Sequence, residues 1–127
     1  MTSVPSTSGR AIHPLEELIS GIVGGTESRY ESLLMIQRSD LPQREQAPDR
    51  YVATGSLKGT RVLVVDDTWT TGAHAQSAST ALKAAGADAV GVVVLGRWFN
   101  TEYRDNKQWR ARKRSKSWDW QVCCLDP

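Results

Sequence analysis

The chain reads as an α/β protein built on a Rossmann-like parallel sheet flanked by helices. Three observations predict this. Val62–Val65 is a continuous apolar run that ends in Asp66 and Asp67, as expected of a strand buried on both faces of a parallel sheet. An Ala-rich helical pattern, AHAQSASTALKAAGA, follows Gly72. A second apolar run, Ala89–Leu95, comes after it and predicts the next buried strand. Strand, helix and strand in that order imply a right-handed crossover and a parallel pair. At 127 residues the chain has the length of one domain, enough to bury a core with little to spare. We divide it into a core, 1–96, and a basic, Trp-rich C-terminal segment, 97–127.

The remaining elements follow from local signals. Val4–Arg10, VPSTSGR, is a polar loop whose hydroxyls, Gly9 N–H and Arg10 guanidinium suit an anion; an ordinary polar tail has the same composition. His13-Pro14 suits the start of a helix, with proline in the first turn, and makes His13 a cap or surface residue rather than a base. Leu15, Leu18 and Ile19 form a helical stripe that Gly21 ends. Leu33–Ile36 and Tyr51–Ala53 are short strands. Between them Ser39–Pro48 is polar and holds two prolines, hence a loop. Ser56–Gly59 turns into the 62–65 strand. In the Ala-rich helix, Ala75, Ala78, Leu82 and Ala85 lie near one face. Gly86 is its C-cap and Lys83 stands in its last turn. Trp118–Val122 alternates as a final strand does.

The chemistry is concentrated at 62–73. Asp66 and Asp67 follow the carboxyl end of a predicted strand, where open α/β sheets bind ligands. The turn Thr68–Ala73 offers backbone N–H groups at a helix N-terminus, a seat for phosphate. Carboxylates accept hydrogen bonds from ribose hydroxyls, so the combination suits a phosphorylated sugar. A bare helix cap explains the Asp and Thr but not Thr-Thr-Gly. A phosphorelay receiver also carries a VLVVDD-like strand, yet needs another Asp at the end of a later strand. Here Ala89–Leu95 runs into Gly96-Arg97. Gly55–Gly59 has the wrong order for a Walker loop, and Gly21–Gly25 does not make GxGxxG.

The stretch VLVV, Asp66-Asp67, Thr68-Trp69-Thr70, Thr71-Gly72, Ala73 resembles the phosphoribosyl-pyrophosphate (PRPP) motif of type I phosphoribosyltransferases. The nearest flavour is that of the ComF-type, competence-associated, amidophosphoribosyltransferase-like proteins, and the looser resemblance reaches to about Phe99. It implies the type I phosphoribosyltransferase fold, with a first strand and helix missing because the chain begins almost at the pyrophosphate loop. It implies that Asp66 and Asp67 are catalytic, holding the ribose hydroxyls near the developing positive charge. Thr68, Thr70, Thr71, Gly72 and Ala73 would bind the 5′-phosphate. Pro5, Ser6, Thr7, Ser8, Gly9 and Arg10 would bind pyrophosphate. Mg²⁺ would be the cofactor, carried by PRPP with Asp66 and Asp67 as the protein groups near it and no other metal ligand. Loop 39–48 would be a hood, from which Arg44, Gln46 and Arg50 could reach the anionic substrate; each reads equally well as a solvated surface group. A homodimer is implied as well. Thr70 departs from purine-transferring members, some of which carry an Asp there, and this disfavours purine salvage. The alternative function is a non-catalytic PRPP or nucleotide regulator, or a competence-associated protein that touches DNA.

The net charge is +2, but its distribution is uneven: from Arg97 onward eight basic residues face four acidic ones. Arg110–Lys116 with its neighbouring tryptophans could grip single-stranded nucleic acid, or be a solvated loop whose tryptophans pack on the domain. Cys123 and Cys124 are adjacent, a spacing that suits neither a mutual disulfide nor a zinc site; they read as reduced thiols. The CxxC pairs common in ComF-type proteins are missing. No apolar stretch is long enough to span a membrane, and the N-terminus lacks the apolar centre of a signal peptide. The expected location is the cytoplasm, where PRPP is found.

Overall fold

A computed structural model describes residues 1–6, 14–22, 24–114 and 121. It is an α/β fold. The principal sheet has three parallel strands in the order β1 (Thr2–Ser3), β4 (Arg61–Trp69), β5 (Ala89–Arg97). Thr2 lies opposite Val64, and Val62 opposite Val90. A separate antiparallel pair joins β2 (Leu34–Ile36) to β3 (Tyr51–Ala53), with Leu34 opposite Ala53. Helix α1 (Pro14–Glu17) starts at the expected proline and runs into a π-helical turn, Leu18–Ile22. Helix α2 (Ala73–Ala84) links β4 to β5, and α3 (Asn106–Arg114) follows β5. No helix among the described residues is long and apolar enough to cross a membrane.

The core follows strand alternation. Val62 and Val64 pack under α2 with Ala78, Ala81 and Leu82, while Leu33, Leu34, Tyr51 and Leu57 close the sides. Val65 faces the other way, onto Leu15 and Ile19. The small residues of α2 let the helix lie close on the strands: Ala75, Ala78 and Leu82 are buried as their spacing predicts.

Gly86 ends α2 as expected. Its φ is 96°, the Gly86 N–H donates to Lys83 O at 3.0 Å, and the Ala87 N–H reaches back to Leu82 O at 3.1 Å. This paired arrangement is a Schellman motif. Lys83 Nζ adds bonds to Ala87 O and Asp88 O. The start of β4 is tied to the same turn, with Leu57 N donating to Ala85 O and Asp88 N to Thr60 O.

Three expectations are corrected. The motif strand does not stop at Val65; its ladder with β5 continues through Asp66, Thr68 and Trp69, opposite Val94, Gly96 and Arg97. β5 is not buried on both faces. It is an edge strand, with Val93 46% and Leu95 63% exposed, and Leu63 beside it on β4 is 36% exposed. Its continuous apolar run resembles that of an inner strand, but among the described residues it borders the sheet and packs on α2 from one side. Finally, part of the basic segment is helical: 106–114 forms α3 rather than a loop. The predicted strand at 118–122 and both cysteines lie outside the described residues, Gln121 excepted.

Candidate functional site

β1 ends at Ser3, opposite Val65, while β4 runs on to Trp69; a cleft of about 350 Å³ opens beside this overhanging stretch of β4. Val4, Pro5 and Ser6 line it from β1. Asp66, Asp67, Thr68 and Thr70 line it from β4 and the following turn. Gln43, Arg44 and His74 close it from the 37–50 loop and α2. The size is that of a small-molecule site. Asp66 and Asp67 are successive residues of β4, just past the point where β1 stops pairing with it, and both line the cleft. The Asp66 carboxylate accepts the Asp67 N–H at 3.0 Å.

The turn after β4 is shaped by one glycine. Gly72 caps α2 with φ 80°, and a Cβ there would overlap the Trp69 indole. The N–H groups of Thr70, Thr71 and Gly72 donate to no acceptor among the described residues, as helix starts leave them. The Ala73 N–H makes only a long contact, 3.4 Å, to Thr71 Oγ1.

The predicted site residues divide accordingly. Asp66, Asp67, Thr68, Thr70, Pro5 and Ser6 converge on the cleft. Thr71, Gly72 and Ala73 adjoin it without lining it: Gly72 and Ala73 are buried, and the Thr71 hydroxyl donates to Arg44 O at 3.1 Å. Thr7, Ser8, Gly9, Arg10 and His13 lie outside the described residues. Among the described residues no group of three or more His, Cys, Asp or Glu could hold a metal ion.

Arg50 does not reach the cleft. Its side chain is fully buried, and Nη2 donates to Pro42 O at 2.5 Å and Glu45 O at 2.9 Å. It therefore braces the loop it was expected to project from. Nε and Nη1 have no hydrogen-bond partner among the described residues, so a buried cation stands behind the site with two of its nitrogens unpaired there. The reason is topological: Arg50 precedes β3 and is drawn inward with Tyr51.

Sequence reasoning missed the contacts between loop 37–50 and the motif helix. Thr71 holds Arg44 O; His74 Nε2 meets Gln43 Oε1 at 3.0 Å. Ser77 Oγ accepts the Ala47 N–H at 3.0 Å, and Thr80 Oγ1 accepts from Gln46 Nε2 at 3.1 Å. The four positions recur every third residue, which puts them on adjoining turns of one face. Polar residues at that spacing in an Ala-rich helix are the signal that could have found them.

Behind this row stands Tyr51. Its hydroxyl meets His74 Nδ1 at 2.6 Å. Burial pushes the Tyr51 pKa up to about 12, against the nearby Arg50 charge and with that of Asp66, so the phenol keeps its proton. Burial, then the Arg50 charge, hold His74 below the ordinary imidazole value despite its contact with Gln43. No protein-family model, no curated protein and no solved structure matches this chain.

Proposed function

We propose that this chain is a Mg²⁺-dependent, phosphoribosyltransferase-like protein. It binds PRPP in the cleft and transfers the phosphoribosyl group to a nitrogen nucleophile, releasing pyrophosphate. One observation carries the reading. Asp66 and Asp67 share a cleft with Thr68 and Thr70, next to main-chain N–H groups of Thr70, Thr71 and Gly72 that lack an acceptor among the described residues. Carboxylates suit a sugar's vicinal hydroxyls, and amides at a helix start suit a phosphate.

In the reaction the bond from the anomeric carbon to pyrophosphate breaks and a carbon–nitrogen bond forms. The nucleophile's surplus proton passes to solvent. Asp66 and Asp67 hold the ribose and stabilise positive charge developing on it, an electrostatic effect that is commonly the largest in catalysis. Thr68 and Thr70 add hydroxyls at the phosphate end, and Pro5 and Ser6 face the leaving group. Asp66 and Asp67 are the hard oxygen donors that would hold Mg²⁺, beside water and substrate oxygens, and the ion would supply charge neutralisation for the departing pyrophosphate.

The test is pyrophosphate release from PRPP with ammonia or an amine as acceptor. Asp67→Asn is expected to lower turnover by about 10²–10³-fold; full activity in this variant refutes the assigned role. Calorimetry with PRPP and Mg²⁺ runs beside it, and binding without turnover identifies a PRPP sensor. A second reading, contact with DNA through 110–116, is favoured by the exposure of Lys107 and Arg110 on α3. It requires an affinity that falls steeply with salt and is lost when that run is neutralised.

A further inference from the structure

The contacts of His74 fix more than the position of a loop. Gln43 presents its carbonyl Oε1 to Nε2 at 3.0 Å, so Nε2 carries the proton. A neutral imidazole then has a lone pair at Nδ1, and that lone pair accepts from the Tyr51 hydroxyl at 2.6 Å. Donation runs in one direction, from Tyr51 to Nδ1 and from Nε2 to Gln43. Tyr51 is only 1% exposed and belongs to β3, so the inner end of this chain is held by the core. The outer end reaches the cleft: His74 and Gln43 both line it, and Gln43 is exposed. Of Thr71, His74, Ser77 and Thr80, His74 alone lines the cleft.

We propose that His74 is a ligand-binding hydrogen-bond donor of the cleft, preset as an uncharged Nε2–H imidazole by the Tyr51 hydroxyl, and that a sugar phosphate takes this N–H in place of Gln43. The proposal rests on reading the cleft as a sugar-phosphate site. With Nδ1 occupied, His74 offers a donor and not a base. Its partner is therefore an oxygen with a free lone pair, on the phosphoryl group or on a sugar hydroxyl. A ligand oxygen would replace the Gln43 carbonyl as acceptor, one hydrogen bond exchanged for another. Burial, and after it the Arg50 charge, work against protonation of the imidazole.

The experiment combines imidazole NMR with ligand titration. In ¹⁵N-labelled free protein, long-range proton–nitrogen spectra are expected to show His74 as the Nε2–H tautomer, and Tyr51→Phe is expected to give a tautomer mixture. Titration with ribose 5-phosphate and with PRPP–Mg²⁺ is expected to shift Nε2 more than Nδ1. His74→Ala is expected to weaken both ligands roughly tenfold, the worth of one hydrogen bond, and His74→Gln, which retains an N–H donor, to recover most of that. Inorganic phosphate and ribose, titrated separately, tell whether the phosphoryl or the hydroxyl oxygen takes the bond. An Nδ1–H tautomer in the free protein overturns the assignment by itself. Equal affinity of wild type and His74→Ala overturns it while leaving the reading of the cleft intact. A wild type that binds none of these ligands overturns both.

Discussion

The two faces of the principal sheet have the same kind of sequence and opposite fates. Under α2, Val62 and Val64 are 4% and 0% exposed, and Leu82 of the helix is 0% exposed. On the opposite face, Val65 is covered by Leu15 and Ile19, but Leu63, Val93 and Leu95 remain open to solvent. The α2 side also carries the loop contacts, the buried Arg50 and the Tyr51–His74 pair. Burial and positioning are thus concentrated on one side of the sheet. A run of valines says that a segment is a strand; which layers cover it is decided by the rest of the topology.

The contrast can be broken most strongly at the core. Leu82→Ala is expected to cost about 2–5 kcal/mol in denaturant unfolding, since it leaves a cavity beneath α2. Leu95→Ala on the open face should change stability by no more than about 0.5 kcal/mol. Equal losses at the two positions would show that the open face is covered in solution. Two glycines sharpen the same point. Gly72→Ala meets both a left-handed φ and the Trp69 ring, and is expected to cost about 2–4 kcal/mol in a thermal melt. Gly91→Ala finds only Leu63 Cδ1, at 3.5 Å, and should be tolerated to within about 0.5 kcal/mol.

Arg50 tests whether the α2 side is built for stability or for position. Arg50→Met removes a buried charge with two unsatisfied nitrogens, so global stability should move by less than about 1 kcal/mol. The 42–47 segment loses its brace, and its amides should exchange with solvent about tenfold faster. A large global loss with unchanged local exchange would reverse that interpretation. The smallest effect concerns pH. The folded-state pKa of His74 is lowered from 6.5, so below that value the unfolded chain binds a proton that the folded one resists. Stability from this group is complete above 6.5 and is lost as pH falls toward the lowered value. His74 is only half-buried, so solvent screening keeps the effect small. Acid melts of wild type against His74→Gln measure it.

Local signals made much of this fold legible. Pro14 starts a helix, Gly72 and Gly86 bracket another, and the Ala75–Ala78–Leu82 stripe marks its buried face. Each depends on residues close in the chain. The strand's extension through Asp66–Trp69 was not legible, because it exists only where β5 continues to pair. Nor was the exposure of Leu95, a matter of edge position. Within the site, Asp66, Asp67, Thr68 and Thr70 announced themselves by order along the chain. Tyr51 and Gln43 did not: they meet His74 across 23 and 31 residues, a separation that no local pattern encodes. Arg50 was misread for a related reason. A charged residue near a polar loop looks solvated until β3 pulls it inside.

Helix α2 is clamped at both extremities, by the Trp69 ring over Gly72 and by the Lys83–Ala87 turn that also holds the start of β4. A shift of the helix along its axis would disturb both contacts at once. The helix therefore gives the cleft one wall held at both of its ends, facing the 37–50 segment that closes the other side.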